Sequence, residues 1–294
     1  MSTAQLVWLI TGASQGFGRR LVHAALSRGD RVIATSRSIE KVHDLVQQAA
    51  ARSEVLAVLA LDVTSERRVI KNVVDEAVRI WGRIDVLVNN AGYGYPGLVE
   101  EGGTDWIRLQ FETNFFGLME VTNAVLPHMR SKRKGTLVNM GSRSAWKPEV
   151  PGLIRRPKQR FTVGGTITET LSVELAQFGI RVLLVEPGGF LTEGAYGYPP
   201  FQDPAKMIPD YDEMRTQAAS GFATIRQGIR GDPDKAMNAL VDVVRGEGVA
   251  QGREWPGYLI LGEDVEADIK RKMKKIESVL DTWSDVTRGV NLES

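Results

Sequence analysis

The chain has 294 residues, 43% hydrophobic and 25% charged, which is enough apolar material for one large α/β domain or two smaller ones. Its 37 basic and 36 acidic side chains nearly cancel, so neither nucleic acid nor an anionic membrane is expected as a partner. The absence of cysteine excludes a disulfide framework and a thiolate nucleophile. His23, His43 and His128 share no ligand spacing, so no metal is expected.

Apolar runs of strand length alternate with helical patterns from the N-terminus onward. "QLVWLI" (5–10) precedes a helix over 16–28, and "RVIATS" (31–36) precedes one over 39–50. "VLAVLAL" (55–61) leads into 66–81, where Val69, Ile70, Val73, Val74, Ala77, Ile80 and Trp81 share one helical face. "IDVLVNNAG" (84–92) leads to a long helix near 106–129. "GTLVNMGS" (135–142) and "IRVLLVEPGG" (180–189) are two further strands, with a helix ending near Phe178 between them.

Continuous Val/Leu-rich strands separated by amphipathic helices predict a Rossmann-type doubly wound parallel sheet with helices on both faces. We read 1–294 as a single domain. Residues 191–230 look irregular and rich in Pro, Gly, Tyr and Met, as in a substrate loop or lid. "WPGYLILG" (255–262) reads as a last strand, followed by a C-terminal helix and tail over 265–294. No apolar run approaches the roughly 20 residues that span a bilayer, and the first ten residues lack the basic start of a signal peptide. A cytoplasmic location is therefore expected.

The first strand is followed by "TGASQGFGRR", with Thr11, Gly12, Ser14, Gln15, Gly16, Phe17 and Gly18 forming a tight turn into a helix. Glycines at such a junction let backbone approach a pyrophosphate at the positive end of the helix. "LDV" (Asp62, Val63), "NNAG" (Asn89, Asn90, Ala91, Gly92) and "PGG" (from Pro187 and Gly188) stand at the carboxyl ends of later strands. With these motifs the chain resembles the short-chain dehydrogenase/reductase family over nearly its full length. The resemblance implies that the glycine-rich turn holds dinucleotide phosphates. It also implies that Asp62 contacts the adenine with Val63 beside it, and that Asn89 to Gly92 lie by the adenine ribose. Pro187 and Gly188 would flank the nicotinamide, with Thr192 close by.

The end of the second strand reads "ATSRS", with Arg37 and no acid. A carboxylate there would accept from a ribose diol, whereas a guanidinium suits a 2′-phosphate. NADP(H) is therefore favoured over NAD(H).

The resemblance further implies an Asn-Ser-Tyr-Lys group in which the tyrosine passes a proton while hydride moves. Asn114 matches the asparagine. Ser142 matches the serine, with Ser144 as a nearby alternative. The Tyr-x-x-x-Lys pair should open the next helix, within "VPGLIRRPKQRFTVGG" (150–165). An ungapped register places Pro157 and Phe161 at its two positions, and a single insertion places Arg156 and Arg160 there. No tyrosine stands between Tyr95 and Tyr196, so no register supplies one. Arginine stays protonated near neutrality and cannot serve as the acid, although Arg160 could hold a ribose hydroxyl or a cofactor phosphate. The basic cluster reads either as a solvated loop or as a rearranged cofactor or substrate contact.

Three functions follow. One is an NADP(H)-dependent reductase of a carbonyl or imine/iminium in an apolar small molecule, with a non-standard proton source. The second is a redox-neutral isomerase or cyclase on the same fold, and the third is a non-catalytic NADP(H)-binding protein. The family resemblance also implies a homodimer formed through the helices at 106–130 and 164–178.

Overall fold

The computed structural model describes residues 4–94, 97–146, 162–193 and 204–292. Seven parallel strands form one sheet: β1 (Val7–Ile10), β2 (Arg31–Ser36), β3 (Leu56–Ala60), β4 (Val86–Asn89), β5 (Gly135–Met140), β6 (Ile180–Pro187) and β7 (Tyr258–Leu261). Their order is β3-β2-β1-β4-β5-β6-β7. Strands β1, β4 and β5 are buried at every residue, which is why they read as unbroken apolar runs. Strand order reverses between β1 and β4, so a crevice opens beyond their carboxyl ends.

The helices among the described residues are α1 (Gly16–Ser27), α2 (His43–Ala51), α3 (Arg67–Trp81), α4 (Val99–Phe111), α5 (Gly117–Lys132), α6 (Thr162–Ala176), α7 (Asp212–Gly228), α8 (Pro233–Arg245), α9 (Glu263–Thr282) and α10 (Ser284–Gly289). Side chains alternate along each strand, so each strand supplies both layers. Trp8 and Ile10 join Leu21, Leu45, Met237 and Leu240 of α1, α2 and α8 on one face. Val7 and Leu9 join Ile70, Val74, Val121 and Leu171 of α3, α5 and α6 on the other. None of these helices is long and apolar enough to cross a membrane.

Local chemistry sets the helix ends. Gly82 takes a φ of 73° and its N–H bonds to the Val78 carbonyl, ending α3 in a conformation that suits glycine. The Asp232 side chain accepts from the N–H groups of Asp234 and Lys235, with Pro233 in the first turn, and so starts α8.

The structure departs from the sequence reading in three places. Much of 191–230 is not irregular: α7 fills Asp212–Gly228. Its weak apolar periodicity and internal Gly221 conceal it in the sequence. Helix α8 was not anticipated, although Met237, Leu240, Val241 and Val244 have helical spacing behind an Asp-Pro start. The single helix expected near 106–129 is two helices, α4 and α5, joined by a π-helical turn over Glu112–Phe116.

Phe190 and Gly231 form an isolated parallel bridge, so the chain leaves and rejoins the sheet's edge at one point. The returning arm is tied to α4. Arg215, 5% exposed, pairs with Glu101 and Asp212, while the Ile208 N–H donates to Glu101 at 3.0 Å. The Tyr211 hydroxyl donates to Glu100 at 2.6 Å.

Candidate active site

The crevice is built first by backbone. The Thr11 N–H donates to the Val88 carbonyl at 3.0 Å, continuing the β1–β4 pairing past the strand end. Thr11 Oγ1 accepts from the N–H groups of Asn90 and Ala91, both at 3.0 Å. Asn90 Nδ2 donates back to the carbonyls of Thr11 at 2.9 Å and Gly12 at 3.0 Å. The turns after β1 and β4 are thereby locked together.

The glycines make this approach possible. A Cβ on Gly18 would lie 2.3 Å from the Gly12 carbonyl oxygen and 2.5 Å from Asn90 Nδ2. Gly12 has a φ of 69°, and a Cβ there would lie 2.8 Å from the Cα of Ala91. Ser14 and Gln15 complete the turn. Gln15 is the N-cap of α1, yet its side chain makes no capping bond, so the first N–H groups of α1 are not satisfied from within the turn. Phe17 packs edge-on against Phe190 with ring centroids 5.2 Å apart, joining this turn to the segment after β6.

Thr192 lies above the turn, its Cβ 3.7 Å from where a Cβ on Gly16 would be. The next residue, Glu193, reaches further. Its Oε2 accepts from the Gly16 N–H at 2.9 Å and from Arg20 Nη1 at 3.0 Å, and its Oε1 accepts from Arg20 Nη2 at 2.9 Å. The guanidinium of Arg20 is the main cause that holds the Glu193 carboxyl down to about 2. Neither Glu193 nor Arg20 was singled out from the sequence, because a charged pair 173 positions apart leaves no local pattern.

The expected adenosine contacts lie along the same edge. Arg37 is exposed just past β2. Asp62 is exposed after β3, and its Oδ1 accepts from the N–H and hydroxyl of Thr64 at 2.9 and 2.7 Å. Val63 is buried against Gly117 at the start of α5. Ala91 and Gly92 are half-buried in the loop after β4. The Asn89 side chain is 1% exposed and turned into the fold. It donates to Thr122 at 2.9 Å and to Asn139 at 3.0 Å, and Asn139 in turn donates to Thr168 at 3.0 Å. This buried polar chain ties β4 and β5 to α5 and α6 beneath the crevice.

Asn114 sits in the π-helical turn, 1% exposed, and grips the backbone of Tyr93: its Oδ1 accepts from the N–H at 3.0 Å and its Nδ2 donates to the carbonyl at 2.8 Å. Single π-turns recur at functional sites because the extra residue redirects a side chain. Ser142 lies past β5, where its Oγ is 3.3 Å from that of Ser144. Arg160, Arg156, Pro157, Phe161, Tyr95 and Tyr196 lie outside the described residues.

Glu186 is a fully buried acid at the end of β6. Its Oε2 accepts from the Ser142 N–H at 3.1 Å, and burial pushes its carboxyl up to about 9. A lone acid inside "RVLLVEPGG" was the available sequence signal for it. Pro187 closes β6. Gly188 and Gly189 pack against Asp264 at the start of α9, with the Gly189 N–H donating to Asp264 at 2.8 Å. Arg143 bridges Asp264 at 2.6 Å and Asp268 at 2.5 Å, so the ends of β5, β6 and β7 are held as one rim.

Fold and site together define a Rossmann-type α/β chain with a glycine-locked first turn. The family description "short chain dehydrogenase" matches residues 6–198. An oxidoreductase of Botryotinia fuckeliana, BOA17, is 31% identical over 285 residues, covering 96% of this chain and 97% of the relative. The chain belongs to the short-chain dehydrogenase family of oxidoreductases. A short-chain dehydrogenase structure from Streptomyces avermitilis is 33% identical with a TM-score of 0.82, covering 98% of this chain and 100% of that one. The same fold is seen in a serine dehydrogenase complexed with NADP+ (24% identical, TM-score 0.67, covering 87% and 94%) and in a Burkholderia phymatum member with NAD (19%, 0.75, covering 94% and 96%).

Proposed function

We propose that this chain is an NADP(H)-dependent oxidoreductase that reduces a carbonyl or an imine/iminium in an apolar small molecule, using a proton source other than the family tyrosine. The observation that carries this reading is the cradle around Gly12, Gly16 and Gly18. Glycine at 12 and 18 lets the turns after β1 and β4 close on each other at the start of α1, and the first turn of α1 already attracts an anion, the Glu193 carboxylate. Arg37, exposed past β2, supports NADP(H) over NAD(H), because its fixed charge and planar donors suit a 2′-phosphate.

When bound, the cofactor supplies a hydride to the substrate carbon. In this reading the residues of the chain bind and orient. The turn from Thr11 to Gly18 holds the phosphates, Asp62, Val63 and the loop from Asn89 to Gly92 border the adenosine, and Arg160 contributes a ribose or phosphate contact. Pro187, Gly188 and Thr192 position the nicotinamide end. Asn114 fixes the Tyr93 backbone beside the crevice, and the Ser142 hydroxyl orients the substrate's oxygen or nitrogen. An imine that is already protonated needs no acid at the moment of hydride arrival, which fits a sequence without the family tyrosine.

Titrating NADPH and NADH against wild type and Arg37→Ala tests the binding half. NADPH should bind more tightly to wild type, and Arg37→Ala should lose about tenfold in NADPH affinity while NADH is unchanged. If neither nucleotide binds wild type, the reading fails. Cofactor oxidation across a carbonyl and imine panel tests the chemistry; product formed without net cofactor turnover would instead establish a redox-neutral isomerase or cyclase.

A further inference from the structure

We propose that the Glu193 carboxylate is an internal competitor for the nucleotide's diphosphate, and that this side chain sets how tightly the cofactor binds. The inference rests on the nucleotide site proposed above and concerns what fills that site before the nucleotide arrives.

Four observations carry it. Helix α1 begins without a side-chain cap of its own, so its leading N–H groups need an acceptor. That acceptor comes from 177 positions away: Glu193 takes the Gly16 N–H at 2.9 Å. The same carboxylate is clamped by both terminal nitrogens of Arg20 at 3.0 and 2.9 Å, so it is seated as a phosphate group would be, on a helix N-terminus beside a forked cation. Glu193 also directly follows Thr192, which lies over Gly16, so the contact falls within the cradle rather than beside it.

Two anions cannot share this seat. A diphosphate arriving at the first turn of α1 meets a carboxylate that already holds the Gly16 N–H and the Arg20 guanidinium, and like charges at such separations repel. The Glu193 side chain is 56% exposed, so solvent is open to it once released. Arg20 then remains at the seat. Its second acidic neighbour, Asp234, stands 3.5 Å away and is 69% exposed. Displacement thus exchanges one anion for another around the same cation, and nucleotide affinity reports the difference between them.

The test titrates NADPH, inorganic pyrophosphate and adenosine against wild type, Glu193→Gln and Glu193→Ala, with binding read by calorimetry. Thermal melting verifies that each variant is folded. Glutamine keeps an acceptor for Gly16 but removes the charge, and alanine removes both. An exposed ion pair of this kind predicts NADPH and pyrophosphate affinities about two- to fivefold tighter in both variants, with adenosine unchanged. Equal or weaker NADPH and pyrophosphate binding in the folded variants overturns the proposal. If NADPH binds none of the proteins while pyrophosphate binding still improves in the variants, the competitor stands and the cofactor reading falls. If neither ligand binds any of them, both fall.

Discussion

Glu186 and Gly141 stand face to face at the ends of adjacent strands: a Cβ on Gly141 would lie 2.7 Å from Oε1 of Glu186. The missing methyl makes room for a carboxyl group that has 0% exposure. With its second oxygen on the Ser142 N–H, Glu186 links the serine turn after β5 to the Pro187–Gly188 turn after β6. An acid buried this deeply stays protonated at neutral pH, because desolvation disfavours the charged form more than the Ser142 N–H and the Trp146 side chain favour it.

That protonation makes folding pH-dependent. The carboxyl has its ordinary value of 4.5 in the unfolded chain and is pushed up to about 9 in the folded one. Below 4.5 both states hold the proton and the Glu186 titration adds no pH dependence. Between about 4.5 and 9 the folded state alone holds it, so stability falls as pH rises, by up to about 1.4 kcal/mol per pH unit from this group. Above 9 the cost levels off. Glu186→Gln keeps the acceptor for Ser142 and removes the titration. Urea unfolding should therefore show equal stabilities near pH 4 and a growing advantage for the variant towards pH 8.5. Parallel curves would mean that Glu186 is ionised in the fold.

The lock around the first turn gives a second expectation. Gly18→Ala places a methyl 2.3 Å from the Gly12 carbonyl oxygen, a backbone atom that cannot swing away. It should cost about 1–3 kcal/mol and weaken nucleotide binding, since the turn must open to admit it. Gly228→Ala is the control: a Cβ there meets nothing within 4 Å, and stability should stay within about 1 kcal/mol of wild type. Equal effects of the two substitutions would show that the Gly12–Gly18 contact is not what constrains the turn.

What the sequence revealed and what it hid follow from the range of the forces involved. The seven strands were legible as apolar runs of strand length, unbroken in β1, β4 and β5 because both of their faces are buried. The glycine turn was legible because backbone needs of this kind restrict a position to one residue type. Helix α7 escaped because its periodicity is faint, and its arm is held by a buried pair, Arg215 with Glu101, that spans 114 positions. Glu193 on Arg20 and Arg143 on Asp264 and Asp268 escaped for the same reason. The motif at Asn89 is legible in the sequence, whereas the inward direction of its side chain is not: its amide nitrogen donates to Thr122 and Asn139, since a side chain at a buried strand end must find partners inside.

Asp30 and Arg245 provide the last test, one of fold rather than of site. Asp30 is 0% exposed between α1 and β2, and its oxygens accept from the Leu6 N–H at 2.9 Å, Trp8 Nε1 at 2.9 Å and Arg245 Nη1 at 2.5 Å. Arg245, at the end of α8, is itself mostly buried and also bonds Glu247 at 2.9 Å. The pair fastens the end of α8 to the starts of β1 and β2. Removing Arg245 leaves the buried Asp30 without a cation, and removing Asp30 leaves the buried Arg245 with only the partly exposed Glu247, so Arg245→Met should cost about 3–5 kcal/mol in urea unfolding at pH 7 and Asp30→Ala somewhat less. The double variant should cost clearly less than the sum, because the second change removes the charge whose buried partner the first took away. Additive losses would mean that the two residues stabilise the fold independently, with Asp30 serving as the acceptor for Leu6 and Trp8 rather than as the anchor of α8.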